Sequence, residues 1–423
     1  MPQLRAIFLA LSTLSLSSMA WAQQPLSFQD CLELLKKNNA DLQYSESTYE
    51  SSKYQIEGSK SGYFPQLSAS LGYSKSGPDD SNASSSSNDS YSATLNASQN
   101  LFRGFTDSSK VDIARGQSSV AEASLRSTRA QVSYDLKFAF ASVIYAKDSL
   151  KISEDIVKRR GDNLRIVELR FESGRENKGS LLLSQANLKQ AKLDHLKAQH
   201  GQETSQSDLK KVIGVDSDKN VEIKDDVPLT VPSTKEPDFT KIAASTPDRQ
   251  QFAAQVDVAE AQLTSAKSGF FPTLDLTGSV GQLGNNFYPN ENDRWTVGAT
   301  LTLPFFSGGK DYYATKSQTS QLYAAKSNLA GIDRSLLTNL KKAFTSYVEA
   351  VEELSVNESF VTAARTRADI ARAKYNNGLM SFEDWDNIEN DLINKTKLYL
   401  TSKRDRIIAE AAWEKAQGVG ALP

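Results

Sequence analysis

Residues 60–65 read Lys-Ser-Gly-Tyr-Phe-Pro, and residues 267–272 read Lys-Ser-Gly-Phe-Phe-Pro. The same junction occurring twice restricts the chain to folds made of two similar halves, and self-similarity has to be read before any element is assigned. The register continues beyond these six residues. Leu67 falls on Leu274 at the same spacing. After a loop near 75–90 the spacing shortens by three, and Phe102, Gly104, Phe171, Gly174 and Gly214 then fall on Phe306, Gly308, Tyr375, Gly378 and Gly418. A Pro- and Asp-rich segment separates the copies and reads as a linker or small irregular layer. The chain divides accordingly into a leader over 1–22, a first repeat over 23–214, a linker or equatorial segment over 215–239, a second repeat over 240–418 and a tail over 419–423.

Each half follows one plan. A helix of about 30 residues comes first, expected over 27–61 and 238–268. Lys-Ser-Gly closes it: Lys suits the negative end of the helix dipole, and Gly62 and Gly269 suit a left-handed cap. Pro65 and Pro272 forbid continuation. Two strands follow, then a very long helix over about 106–171 and 309–375. A Gly-containing turn leads into a last helix over about 179–213 and 382–417. Leu136, Val143, Leu150, Val157, Leu164 and Phe171 recur every seven residues, matched by Leu340, Tyr347, Leu354, Val361, Ala368 and Tyr375. A sustained seven-residue period drives left-handed coiled-coil packing. At 1.5 Å per residue, each long helix measures roughly 100 Å, and the two shorter helices of a half sum to nearly that length, so the economical arrangement stacks them end to end beside it.

The strands alternate strictly. Leu67, Ala69, Leu71 and Tyr73 share one face, with Ser68, Ser70 and Ser74 on the other. The second copy places Leu274, Leu276 and Val280 opposite Thr273, Asp275, Thr277 and Ser279. The return strands, Tyr91–Ser98 and Trp295–Thr302, behave alike, and aromatic residues crowd the strand ends. Alternation over about ten residues with aromatic ends is the pattern of a membrane-spanning β-strand, apolar toward lipid and polar toward a wet lumen. A soluble β-sandwich edge is the plainer alternative. Four strands cannot close a barrel, and an open edge in lipid leaves backbone groups unpaired at several kcal/mol each. The barrel is therefore expected to be shared: two copies give eight strands, three give twelve.

Composition excludes other classes. Lys and Arg total 49 against 51 Asp and Glu, so no nucleic-acid partner is expected. Mean hydropathy is −0.46. The only stretch apolar enough to enter a membrane as a helix is the N-terminus, where an Arg, a short apolar run and Ala20-Trp21-Ala22 are expected to form a secretory leader cut after Ala22, a retained membrane anchor being the alternative that the shortness of the apolar run disfavours. Cys31 is the sole cysteine, so no internal disulfide is possible. His195 and His200 are the only histidines, and five positions apart on a helix they do not share a face as a metal pair would. No nucleophile–base set, metal cluster or phosphate loop is visible, so no enzyme activity, metal or cofactor is expected, and energy must come from a partner. The Ser/Asn/Asp run at 77–90 and its shorter counterpart at 282–294 are expected as external loops.

The duplication, the K-S-G-[YF]-F-P-x-L junctions, the turns Leu101–Gly104 and Phe305–Gly309, and the tip segment Lys374–Trp385 together resemble the TolC-like outer membrane factor family, also called outer membrane efflux proteins. The resemblance covers essentially the whole mature chain. It implies a mixed, mainly α fold: long coiled-coil helices forming a periplasmic α-barrel, plus four strands per chain in a shared transmembrane β-barrel. It implies a homotrimer in the outer membrane of a Gram-negative bacterium, in contact with its lipid. It implies a passive exit duct for efflux or type I secretion, docking a periplasmic adaptor and an energised inner-membrane pump of the RND or ABC type. A trimeric coiled-coil scaffold or adhesin is the alternative, although such proteins place their barrel strands at the C-terminus, and here the chain ends just after a helix.

In this family the gate lies at the periplasmic tips of the helix hairpins, where acidic residues ring the pore. Asp384, six residues after Gly378, matches one ring carboxylate; Asn387 stands where a second would be, with Glu383 and Asp386 nearby. Ser180 holds the position of Asp384 in the first copy. Tyr375 matches a tip tyrosine that in relatives helps hold the closed state, and Met380 stands where some relatives carry its basic partner. Gly174, Gly378, Leu379 and Ser381 match the tips where adaptors dock. From the residues themselves, three Asp384 side chains brought together by symmetry would repel one another and attract cations. The plainer reading is that Glu383, Asp384 and Asp386 favour a helix N-terminus capped by Ser381.

Overall fold

A computed structural model describes residues 25–77, 88–216, 222–224, 227–233, 235–289 and 292–422. The expected leader and most of the loop at 77–90 lie outside these residues. The elements run α1 (Phe28–Asn38), α2 (Ala40–Ser59), β1 (Gln66–Ser76), β2 (Asn88–Arg103), α3 (Thr106–Glu172), α4 (Lys178–Ile213), α5 (Phe239–Ser245), α6 (Pro247–Lys267), β3 (Thr273–Gly284), β4 (Asn292–Thr302), α7 (Lys310–Asn376) and α8 (Phe382–Gln417). Among the described residues no helix is long and apolar enough to cross a membrane. The chain packs as two compact units, and both repeats contribute to each. Among the described residues, one comprises those up to Asn39 with those of Tyr134–Val231 and Val348–Ala411; the other comprises those of Ala40–Ser133 and Pro232–Tyr347 and those from Ala412.

Three expectations are corrected. First, the helix opening each half is broken, at Asn39 and at Thr246, where the backbone is extended (ψ 122° and 142°). Pro247 explains the second break: it has no N–H to give α5, and it disfavours helical geometry in the residue before it. The first break has no proline. There the Asn39 N–H bonds the Leu35 carbonyl at 2.9 Å, and its side-chain amide donates to the Val212 carbonyl at 2.9 Å.

Second, Gly62 and Gly269 are not left-handed caps. They lie in single turns of 3-10 helix, Lys60–Tyr63 and Ser268–Phe270, and neither has a positive φ. Glycine is required because an aspartate in the first turn of the following long helix occupies the space: a Cβ on Gly62 would lie 2.5 Å from Asp107 Oδ1, and one on Gly269 2.6 Å from Asp311 Oδ1. Pro65 and Pro272 sit immediately before β1 and β3, where a missing N–H costs nothing.

Third, the seven-residue row holds better in the second copy than in the first. Leu340, Tyr347, Ala368 and Tyr375 are buried, as are Leu136 and Val143, but Phe171 is 37% exposed. Toward the end of α3 the buried positions move to Arg160, Asn163 and Val167, because polar side chains pair there, as described below.

In the strand-bearing unit the sheet order is β1-β2-β3-β4, all antiparallel. Register keeps the faces separate across all four strands. Leu71 opposes Ala93, Leu95 opposes Val280, and Val280 opposes Trp295; Ser70 opposes Thr94, Ser98 opposes Thr277, and Thr277 opposes Gly298. The apolar side chains, among them Leu67, Leu71, Trp295 and Leu301, stand exposed. The polar face carries an ion pair between Arg103 and Asp275 at 3.2 Å. Below the sheet, α2 meets α3 through Ser52 and Ser118 (3.0 Å), and α3 meets the 3-10 turn that precedes β3 through Thr106 and Ser268 (2.7 Å). α6 pairs with α7 through Arg249–Asp333 and Lys326–Glu260, each 2.8 Å. Phe239, Phe344 and Trp413 form an edge-to-face aromatic trio beside buried Ala243, Leu336 and Leu340.

In the other unit, α1 docks by Phe28 edge-on to Phe140 at 5.5 Å, with Cys31 and Leu35 fully buried. Burial pushes the Cys31 thiol up to about 12, which makes it inert. α4 ends at Gly214, whose positive φ of 68° and close approach to the Asn38 carbonyl leave no room for a Cβ. The segment around Thr230 is fastened by buried Glu410, which accepts from the Thr230 N–H at 3.1 Å and from its hydroxyl at 3.0 Å.

Candidate functional site at the helical tips

The turns joining α3 to α4 and α7 to α8 are built alike. Gly174 and Gly378 have φ of 72° and 75°, a region that glycine enters without strain. Each ends its helix with the same pair of bonds: Gly174 and Arg175 N–H to the carbonyls of Phe171 and Arg170, and Gly378 and Leu379 N–H to those of Tyr375 and Lys374. A Cβ on either glycine would meet nothing within 4 Å, and Leu379 is 76% exposed, so both tips present open surface. The next helices start on side-chain caps. Asn177 accepts from the Ser180 N–H at 2.9 Å. Ser381 Oγ accepts from the Asp384 N–H at 3.1 Å and donates to Asp384 Oδ2 at 2.7 Å.

The four expected gate residues divide into two kinds. Glu383 and Asp384 are exposed on the first turn of α8. Asp386 and Tyr375 are instead engaged within the chain. Asp386 accepts from Arg160 at 3.1 Å, from Asn187 at 3.0 Å and from Asn390 at 2.9 Å, so its charge is neutralised by α3. Tyr375 is fully buried. Its ring stacks on Trp385, its hydroxyl donates to Glu176 Oε2 at 2.8 Å, and the Arg170 guanidinium covers the ring face at 4.6 Å while donating to the Tyr375 carbonyl at 2.8 Å. Burial, and then the Glu176 carboxylate, hold the phenol proton on well above the usual tyrosine range. Arg170 and Glu176 belong to the first hairpin, Tyr375 and Trp385 to the second. Tyr375 thus ties the two tips together without a basic residue at Met380.

A buried polar cluster lies behind this contact. Glu389, fully buried, accepts two bonds from Arg159, at 2.6 and 2.8 Å, and one from Asn163 at 3.2 Å. Arg372 donates to Asn163 at 2.8 Å, and Arg160 also bonds Asn390. Burial alone would push the Glu389 carboxyl up; the Arg159 bonds and charge outweigh it and hold it below the usual range. Sequence reading missed Trp385, Arg159, Asn163, Glu389 and Glu176. Of these only Trp385 left a signal, as a large aromatic residue on the helix face that follows the Ser381 cap. His195 meets Ser153 at 3.0 Å and Gln199 at 3.2 Å, and among the described residues no group of His, Cys, Asp or Glu is placed to hold a metal.

Known proteins resemble this chain over most of its length. The family model described as outer membrane efflux protein matches residues 31–215 and 240–419. The outer membrane protein TolC of Vibrio cholerae is 23% identical over 428 residues, spanning 99% of this chain and 96% of that protein. The alkaline protease secretion protein AprF of Pseudomonas aeruginosa is 23% identical over 342 residues, spanning 78% and 70%. The crystal structure of the outer membrane protein VceC from Vibrio cholerae shares the fold, with a TM-score of 0.81 at 18% identity over 93% of this chain and 96% of that one. The family match covers both repeats nearly from end to end, and the chain belongs to the outer membrane efflux protein family.

Proposed function

We propose that three copies of this chain close a twelve-stranded barrel in the outer membrane, and that their helical tips form a periplasmic gate that opens onto an adaptor and an inner-membrane pump. The chain itself is an outer-membrane exit duct for efflux or secretion, as its family and relatives are. The observation that carries the shared-barrel reading is the four-stranded sheet, apolar on one face and ending at β1 and β4, while the number three follows from the family resemblance. In lipid, unpaired strand edges are too costly to persist, so further copies must complete the ring. A leader removed after Ala22 would deliver the chain across the inner membrane.

At the tips, exposed Asp384 and Glu383 are the carboxylates available to ring a pore, while Asp386 is committed to Arg160. Gly174, Gly378, Leu379 and Ser381 offer the open turns that an adaptor tip would meet. No step in this function makes or breaks a covalent bond, and energy is supplied by the pump. The test is the mass of the detergent-extracted protein by light scattering, corrected for bound detergent. A trimer supports the shared barrel; a folded monomer refutes it.

A further inference from the structure

Just below the sheet, the two sides of α3 are built differently. Asp107, Lys110 and Gln117 line a polar cleft together with Ser98 and Asp275. Ser98 and Asp275 stand on the polar face of the sheet, so this cleft belongs to the lumen side. Ser108, Asp112 and Arg115 recur at helical spacing on the far side of α3. With Lys60 and Tyr63, from the turn before β1, they line a second cavity of about 280 Å³ whose floor is buried Val111.

Phe105 identifies this far side with the apolar face of the sheet. Its ring meets Phe102 at 5.6 Å and Phe271 at 5.5 Å, and Phe102 is in register with Leu274 of the apolar face. Its carbonyl accepts from the Ser108 hydroxyl at 2.9 Å. Among the described residues Phe105 is also the one non-glycine with a positive φ, 71°, where the second repeat has Gly309. A bulky side chain is strained there, so the first repeat bears a cost to keep an aromatic ring beside the groove. Tyr63, Phe64 and Leu67 stand exposed above it. Ser108 to Arg115 is about 10 Å along the helix, close to the depth of one headgroup layer, and a long Arg side chain can reach upward.

The charges at the groove come in opposed pairs. Lys60 meets Glu57 at 2.6 Å, and Arg115 meets Asp112 at 3.2 Å, with all four side chains more than a third exposed. Exposed pairs of this kind are worth little, so each cation can turn to a phosphate and leave its carboxylate for an ammonium. The second repeat differs at every one of these positions except Lys60. It has Lys267 and Lys316 with Thr264 and Thr319, two cations and no acid, and Tyr312 stands in place of Ser108. Only the first repeat offers both signs around an open groove.

We propose that this groove holds one phospholipid per chain, of the zwitterionic class with a primary ammonium headgroup. Lys60 and Arg115 take the phosphodiester, Glu57 and Asp112 accept from the ammonium, and Tyr63 and Phe64 lie along the first carbons of the acyl chains on the way to Leu67. The charge-assisted bonds select the headgroup. A purely anionic headgroup would leave two carboxylates facing its charge. The site rests on the sheet spanning the outer membrane, as proposed above, and not on the number of copies.

Native mass spectrometry tests this on the full chain purified in detergent and stripped of lipid. A short-chain phosphatidylethanolamine, a phosphatidylglycerol of the same chain length and inorganic phosphate are titrated separately. The parent is expected to take up one phosphatidylethanolamine per chain ahead of phosphatidylglycerol, and no phosphate. Ser108→Tyr and Arg115→Gln should each weaken uptake about tenfold. The double variant Lys267→Gln with Lys316→Gln, which removes two cations at the counterpart positions, should bind like the parent. Equal uptake by the parent, Ser108→Tyr and Arg115→Gln overturns the site, and so does equal loss in the double variant. Preference for phosphatidylglycerol, or uptake of phosphate alone, overturns the headgroup assignment. The same spectra count the chains, so a monomer refutes the shared barrel without touching the lipid site. Recovery of the protein from cells without detergent would refute the membrane reading itself.

Discussion

The Tyr375 ring lies against the indole of Trp385 with 4.2 Å between centroids and 13° between planes, and the tyrosine hydroxyl reaches across to Glu176 of the other hairpin. Stacking and hydrogen bond act together, because the indole fixes the ring plane that aims the hydroxyl.

Removing each part should give a different size of effect. Tyr375→Phe loses one hydrogen bond to a half-buried carboxylate, about 1 kcal/mol. Trp385→Ala empties a fully buried site, about 3–5 kcal/mol. Since the folded phenol pKa is raised, the tyrosine contribution is complete below the ordinary value near 10 and declines as pH rises toward the folded value. Thermal unfolding across alkaline pH should therefore show a loss in the parent that Tyr375→Phe lacks; parallel curves would contradict this.

Glu389 has the opposite pH dependence. Its carboxyl is held below the usual range, so its contribution is present above about pH 4.3 and is lost as pH falls through the lower folded value. Glu389→Gln takes away the buried carboxylate of Arg159, leaving it only Asp369 at 3.8 Å, and should cost about 1–3 kcal/mol. Hydrogen exchange in the unit containing Glu389 would show the acid-dependent step disappear in the variant.

Gly378 has a left-handed backbone and open space around it. Replacement by Trp should cost only about 1–2 kcal/mol of backbone strain within the chain. It should nonetheless block an adaptor tip. Normal insertion and trimer yield with lost export is the expected pattern, and normal export would exclude the tip as the docking point.

Asp384 bonds the Ser381 cap and is proposed to ring the pore, and substitutions can separate the two. Asp384→Asn removes charge while keeping an oxygen for Ser381, and should lower cation selectivity or divalent block in planar bilayers. Ser381→Ala removes the cap, should cost about 1 kcal/mol, and should leave selectivity unchanged. Equal selectivity in the parent and Asp384→Asn would leave only the capping duty.

What the sequence made legible was local. The end of α3 one residue from its expected position, α8 running Phe382–Gln417 and the two-faced strands all follow from signals within a few residues: Gly174, the Ser381 cap, the alternation after Pro65. The Thr246–Pro247 break was equally readable. What was illegible depends on partners far along the chain. Gly62 is glycine because of Asp107. Asn39 breaks a helix partly because Val212 receives its amide. Arg159 and Glu389, 230 positions apart, occupy positions with no periodic mark. At the tips, the family resemblance singled out four acidic or phenolic candidates, but only packing separates exposed Asp384 from Asp386, which is paired with Arg160.

The pairing of β2 with β3 also bears on the order of events in folding. Each hairpin joins strands adjacent in the chain, but Tyr91 must find Gly284 across all of α3, α4, α5 and α6. Contacts of such long range form late and slowly, because loop entropy is lost before they yield any stabilisation. The sheet therefore cannot be completed until the second repeat has been translocated. Until then the first hairpin exposes an apolar face and two bare edges, a species open to wrong pairing. A kinetic consequence follows: a chaperone that shields strands during transit would be needed most in the interval between the export of β2 and the arrival of β3.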